Sequence, residues 1–191
     1  MDRKDFLRNS MMSVTSLAFM GYSKKNDPQT CLTQADDLGP FFREGSPLNN
    51  NMIGKSTGIR LDIEGKIFDG HSCNLPLSNV TVEVWHASPE GSYDVSSNEY
   101  LFRSKLKTNK LGAYHFRTIM PGNYGNRPKH IHFKVSATGY STLITQLYFE
   151  NDMGQPDMLA RNASNDRIIP LRPLGDGLAG TFDIFLRKNN K

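Results

Sequence analysis

The stretch His130-Ile131-His132-Phe133-Lys134-Val135 decides how this chain is read. In an extended strand, side chains alternate between two faces with a period of two. Ile131, Phe133 and Val135 then point one way, into a core. His130 and His132 point together the other way. The pattern recurs on both sides of this stretch. Gly58 to Phe68 alternates through Ile59, Leu61, Ile63 and Ile67. Val80 to Trp85, Ala113 to Ile119, Thr142 to Phe149 and Gly180 to Leu186 also read as strands. Between them fall turn signals: Gly39-Pro40, Asp69-Gly70, Pro89-Glu90-Gly91, Asn109-Lys110-Leu111-Gly112 and Pro121-Gly122-Asn123. Short, regularly punctuated strands predict an all-β fold, a sandwich or a barrel. No long stretch keeps a 3.6-residue period. Asn151 to Asp176 reads as loop-rich, with a short helix near Asp157 to Asn162.

The chain of 191 residues suits one domain, placed at residues 30–191, behind a leader and linker at residues 1–29. With 37% hydrophobic and 22% charged residues, a folded domain is expected rather than disorder. The formal net charge of +4 is spread without a dense basic block, so no nucleic-acid footprint is present. In the leader, Arg3, Lys4 and Arg8 precede an apolar stretch from Met11 to Met20, then polar Ser23 to Asp27. This is the outline of an export signal, and too short for a stable membrane span. Arg3-Lys4-Asp5-Phe6-Leu7-Arg8 resembles a twin-arginine signal with one Arg replaced by Lys. The expectation is an exported protein; the alternative is a cytoplasmic one with a disordered or amphipathic arm. Cys31 and Cys73 form one disulfide in an oxidising compartment and remain two thiols in the cytosol. Neither lies in a zinc-binding pattern.

Two imidazoles on one strand face, one residue apart, can chelate a single metal. The same spacing also arises on a partly exposed strand with no ligand. The flanking sequence carries two loop tyrosines: Tyr124, at the tip of a Pro- and Gly-rich connection, and Tyr93, after the turn that follows Val82 to His86.

The combination resembles the intradiol ring-cleavage dioxygenases, most of all the protocatechuate 3,4-dioxygenase beta-chain type. The resemblance runs in order through Gly39-Pro40-Phe41, Gly65 to Asp69, Pro76 to Trp85, Gly91-Ser92-Tyr93 and Phe116-Arg117-Thr118-Ile119. It continues through Pro121-Gly122-Asn123-Tyr124, Arg127-Pro128-Lys129-His130-Ile131-His132-Phe133 and Thr145-Gln146-Leu147-Tyr148-Phe149. It implies a β-sandwich with long active-site loops. It also implies ferric iron, Fe(III), held by Tyr93, Tyr124, His130 and His132. A catechol-type substrate would bind as a dianion and displace Tyr124, which takes up a proton, while Tyr93 stays. Cleavage by O2 would yield a muconate-type diacid. By the same resemblance Arg127 stabilises charge on the ring and Gln146 orients the site. A homo- or hetero-oligomer with a homologous chain is the implied partner. Phe42 stands where many members carry Tyr, and no N-terminal helical dimerisation region like that of catechol 1,2-dioxygenases is read.

His86 is expected to be structural or pocket-lining, and His71 and His115 to be at the surface. Tyr100, Tyr114, Tyr140 and Tyr148 are expected to be core or rim aromatics. Asp36-Asp37 reads as a solvated turn. The competing classes are a non-catalytic β-sandwich binding module and a structural zinc or copper protein.

Overall fold

A computed structural model describes residues 31–153 and 156–189. The leader and linker expectation lies outside these residues. Among the described residues, strands build two five-stranded sheets. One sheet is centred on β1 (Arg60–Asp69). Along one side β1 pairs antiparallel with β4 (Ala113–Ile119). Along the other side it pairs in parallel, first with β9 (Gly177–Thr181) and then with β10 (Ile184–Leu186). β8 (Arg172–Leu174) extends β9. The second sheet runs β3 (Arg103–Lys107), β2 (Thr81–Trp85), β5 (His130–Ser136), β6 (Leu143–Phe149) and β7 (Ile168–Ile169).

The core lies between the sheets. Leu61, Ile63 and Ile67 of β1, Val82 and Val84 of β2, and Ile131, Phe133 and Val135 of β5 are buried there. Burying each such side chain is worth roughly 1.5–3 kcal/mol. The alternation expected for β5 is therefore the observed one, with its apolar face against the other sheet. Ile59 departs from its expected place: it precedes β1 and is exposed.

Three details differ from the sequence reading. The expected strand from Gly180 to Leu186 is two strands, parted at Phe182-Asp183. Backbone Phe182 N–H donates to Glu64 O, and the Asp183 carboxylate accepts from Lys66 N–H, so β1 keeps partners across the break. Gly65 makes room for it: a Cβ there would lie 1.9 Å from the Phe182 carbonyl oxygen. Second, β3 was not expected. It is a charged edge strand, and residues 47–49 pair along its open side through Lys105. Third, the loop-rich segment contains β7 and β8. Its short helix, α1 (Met158–Arg161), is capped by Asp157, whose side chain accepts from Ala160 N–H.

Cys31 and Cys73 are joined by a disulfide. Asp36 is not a solvated turn residue. Its side chain is buried in an ion pair with buried Arg167, because the segment from residue 31 to 37 lies across β6 and shields it.

Candidate metal centre

The register of the second sheet assembles the site floor. Trp85 lies opposite His132, which lies opposite Gln146, while His130 lies opposite Tyr148. Directly opposed residues share a face. One outer patch of β2, β5 and β6 therefore carries Trp85, both histidines, Gln146 and Tyr148. The patch is not open to solvent: His130 is 3% and His132 2% exposed.

The N-terminal segment covers it. Gln146 Nε2 donates to the Asp37 carbonyl at 3.2 Å. Gly39 has a φ of +70°, which favours glycine, and a Cβ there would stand 3.4 Å from His132 Cε1. Two residues on, Phe41 stacks on Tyr93 with ring centroids 4.2 Å apart. Phe42 meets Trp85 edge-on at 5.1 Å.

Tyr93 enters from the loop after β2. Its hydroxyl lies 3.0 Å from His130 Nε2 and 3.1 Å from His132 Nε2. Asp94 braces the loop: its carboxylate accepts from Ser96, Ser97 and Leu101 N–H groups, from the Ser97 hydroxyl and from Arg43. The Arg103 guanidinium grips the Asp94 carbonyl through Nε and Nη2.

The two imidazoles are held differently. His130 Nδ1 lies 2.7 Å from the Pro128 carbonyl and must donate to it, which leaves Nε2 as the acceptor nitrogen facing the site. His132 Nδ1 is buried without a hydrogen-bond partner. Its ring is fixed by stacking on Trp85, with centroids 4.8 Å apart and planes 8° apart. Trp85 Nε1 is likewise buried without a partner.

Burial, reinforced by the Arg127 charge, lowers His130 to about 4. Burial, then the neighbouring His130 and Arg127, hold His132 well below the usual imidazole range. Both are neutral at pH 7, the state a metal ligand requires. Burial pushes the Tyr93 phenol well above its usual value, against the opposing pull of Arg127 and Arg103. Tyr93 is thus a phenol until a stronger cation than these arginines takes its oxygen.

Arg127 completes the cluster. Nε donates to Asp157 at 2.7 Å, and Nη1 faces His130 Nε2 at 3.2 Å. Nη2 donates to Gln146 Oε1 at 2.8 Å and to the Tyr148 hydroxyl at 3.2 Å. The structure therefore brings together Tyr93, His130, His132, Arg127 and Gln146. Tyr124 stands beside them, its ring 5.4 Å from that of Tyr93 and 5.1 Å from that of Phe41. It is 40% exposed, and its hydroxyl makes no hydrogen bond among the described residues.

Sequence reasoning passed over Trp85, Phe41, Tyr148, Asp157 and Arg103 as parts of the site. Tyr148 is expected as a core or rim aromatic. It is buried, but its hydroxyl donates to Gln146 Oε1 at 3.0 Å and accepts from Arg127. Its place two residues after Gln146, on one strand face, was the available signal. Asp157 lies 30 residues from Arg127, and nothing local pairs them. His86 is structural: buried, its Nδ1 donates to Ala87 O and its Nε2 accepts from Thr118, each at 2.7 Å.

A groove of about 900 Å³ between β3 and β4, lined by Lys66, Lys105, Lys107 and His115 among others, shares no residue with this cluster. Function is placed at the histidines, where imidazole and phenol donors converge. Among the described residues no three His, Cys, Asp or Glu side chains group as a metal site. The histidine cluster reaches three donors only by counting a tyrosine.

Fold and site thus define a β-sandwich with a mixed imidazole and phenol donor set under an N-terminal cover. Residues 38–188 match the family model described as Dioxygenase. The chlorocatechol 1,2-dioxygenase of Rhodococcus opacus is 30% identical over 167 residues, covering 72% of this chain and 62% of its own length. The protocatechuate 3,4-dioxygenase beta chain of Burkholderia cepacia is 33% identical over 185 residues, covering 80% of this chain and 74% of its own. A solved dioxygenase domain, from a dioxygenase carbohydrate-binding protein fusion of Streptomyces sp. SirexAA-E, has a TM-score of 0.73 at 33% identity. It covers 83% of this chain and 99% of that one. The chain belongs to the intradiol dioxygenase family. It spans less than two thirds of the length of the Rhodococcus enzyme.

Proposed function

We propose that this chain is a non-haem iron dioxygenase that opens a catechol ring between its two hydroxylated carbons, using O2 and giving a muconate-type diacid. The observation that carries this reading is the convergence of the Tyr93 hydroxyl on both histidine Nε2 atoms, at 3.0 and 3.1 Å. Donors about 3 Å apart fit neighbouring positions around one ion with bonds near 2 Å. Tyr93, Tyr124, His130 and His132 would hold ferric iron. Phenolates are hard anionic donors that suit a trivalent ion, whereas zinc sites draw on Cys, His and carboxylates. When bound, the iron supplies the Lewis acidity that ionises the catechol and makes its ring reactive toward O2.

The residues of the chain do the rest. The exposed Tyr124, with no hydrogen bond to hold its hydroxyl, leaves the site and takes a catechol proton. Part-buried Tyr93, stacked under Phe41, stays. Arg127 sets positive charge beside the reacting ring, and Gln146 and Tyr148 hold its guanidinium by accepting from Nη2. The binding-module alternative gives no reason for Tyr and His donors to converge beside a braced arginine.

Export is part of this proposal, supported by the Cys31–Cys73 disulfide. The mass of the mature N-terminus tests it. The beta-chain relative supports assembly with a second chain of this family, to be read from solution mass. The activity itself is tested by loading the purified protein with ferric iron and supplying a panel of catechols in air. A red-brown tyrosinate band and a ring-opened diacid are expected. A protein that stays colourless after loading rules out the ferric site.

A further inference from the structure

The donors of Arg127 are fully engaged. All three of its nitrogens are engaged, and its one carboxylate partner is Asp157, at 2.7 Å. Asp157 is itself fixed at both oxygens. Oδ2 meets Arg127 Nε, while Oδ1 accepts from Ala160 N–H at 2.9 Å and caps α1. A negative charge thus sits one guanidinium away from a histidine of the site. The pair is mostly shielded, with side chains 20% and 26% exposed.

The other cations nearby are also committed. Arg43 pairs with Asp94 at 3.3 Å and Lys134 with Glu83 at 3.5 Å. Lys129 pairs with Asp152 at 3.9 Å, and Arg167 pairs with Asp36. Arg103 is spent on the Asp94 carbonyl. Among the described residues, no Lys or Arg around the cluster is left without an acidic or carbonyl partner. A ring substituent with its own negative charge would enter a shielded site with no free cation to meet it. It would also face the Asp157 carboxylate. Both terms oppose binding.

We infer that Asp157 is a specificity-determining residue: by holding Arg127 it selects catechols without an anionic ring substituent and rejects carboxylated ones. The inference rests on the ring-cleavage reading and narrows it. It moves the substrate away from the protocatechuate-like expectation of the sequence.

The test uses the iron-loaded full chain without O2, titrated with catechol or with 3,4-dihydroxybenzoate and followed by its visible absorption. Steady-state KM and kcat for both compounds are then measured in air. The wild type should bind catechol at least about tenfold more tightly than the carboxylated compound. Asp157→Asn keeps a good helix cap but removes the charge. It should shift the ratio toward 3,4-dihydroxybenzoate by about tenfold or more, carried by KM. Asp157→Glu, which restores the charge, should move the ratio back. Thermal unfolding of the iron-free variants checks their folding. Asp157→Ser, also a capping residue, provides the same readout if Asn is not tolerated. Equal binding of both compounds by the wild type overturns the inference while leaving ring cleavage standing. So does an equal effect of Asp157→Asn on both. A wild type that neither binds nor opens either ring overturns the ring-cleavage reading and this inference with it.

Discussion

The histidines and the tyrosines reach the site by different routes. His130 and His132 stand on β5, between β2 and β6, at 3% and 2% exposure. Their positions are fixed by two hydrogen-bonded ladders and by a core on the opposite face of the same strand. Tyr93 and Tyr124 hang from loops. Tyr93 is steadied by Phe41 and by the Asp94 and Arg103 contacts behind it, whereas the Tyr124 side chain has ring contacts alone. Side-chain restraint therefore falls in steps from the strand histidines to the braced Tyr93 to the exposed Tyr124 ring. A site that must keep an ion yet admit a substrate needs such a gradient. The permanent donors belong on the sheet, and the exchangeable one belongs where least is lost when it moves.

The largest effect should come from breaking the stiff half. His132→Ala removes a donor and empties the space between Trp85 and Gly39. Retained iron should fall by more than the roughly tenfold to hundredfold typical of residues that only orient a ligand. Metal analysis after dialysis reads this directly, and a variant that keeps its iron would place the ion elsewhere. Tyr124→Phe tests the loose half. It should keep its iron, because three donors remain, yet lose roughly a hundredfold in kcat with the departing base. Loss of all iron in that variant would make Tyr124 as fixed as Tyr93 and erase the gradient.

The same division explains what the sequence made legible. Period-two alternation placed Ile131, Phe133 and Val135 inward and both histidines outward, without knowledge of any partner strand. The tyrosines became candidates through resemblance, since a loop position has no period to betray it. β3 escaped notice because an edge strand written Arg-Ser-Lys-Leu-Lys carries one large apolar residue and meets part of its pairing through residues 47–49. The break at Phe182-Asp183 depends on where Glu64 and Lys66 lie in space. Asp157 and Arg103 act through contacts that no local pattern encodes. Sequence order exposes ladders and caps; it hides contacts made between loops.

Protonation separates the two halves further. His130 is held near 4, as is the structural His86, and His132 is held well below the usual imidazole range, burial being the leading cause in each. The unfolded chain takes up these protons near pH 6.5, where the folded one does not. Stability of the iron-free protein is therefore full above about pH 6.5 and declines as the pH falls toward 4. Each histidine contributes a slope of about 1.4 kcal/mol per pH unit within that window. Denaturant titrations at several pH values give the slope, and His86→Gln should reduce it by about one proton without altering the iron site. A flat profile would mean that the imidazoles are hydrated rather than shielded.

The smallest expected effect probes the joint between the halves. Gly39 belongs to the covering segment, yet it packs against His132, a strand residue. Gly39→Ala meets two obstacles: a left-handed φ of +70° and a methyl 3.4 Å from His132 Cε1. The backbone term costs about 1–2 kcal/mol. The contact is only slightly tight, so the ring needs to yield a few tenths of an ångström. Its Nδ1 has no hydrogen bond to resist that movement, and stacking on Trp85 permits sliding in the ring plane. Stability should therefore drop by the backbone term, while iron affinity falls only several-fold. If Gly39→Ala instead lost iron as completely as His132→Ala, the covering segment would be as much a part of the rigid scaffold as β5. The difference between strand-borne and loop-borne donors would then lie in their chemistry alone.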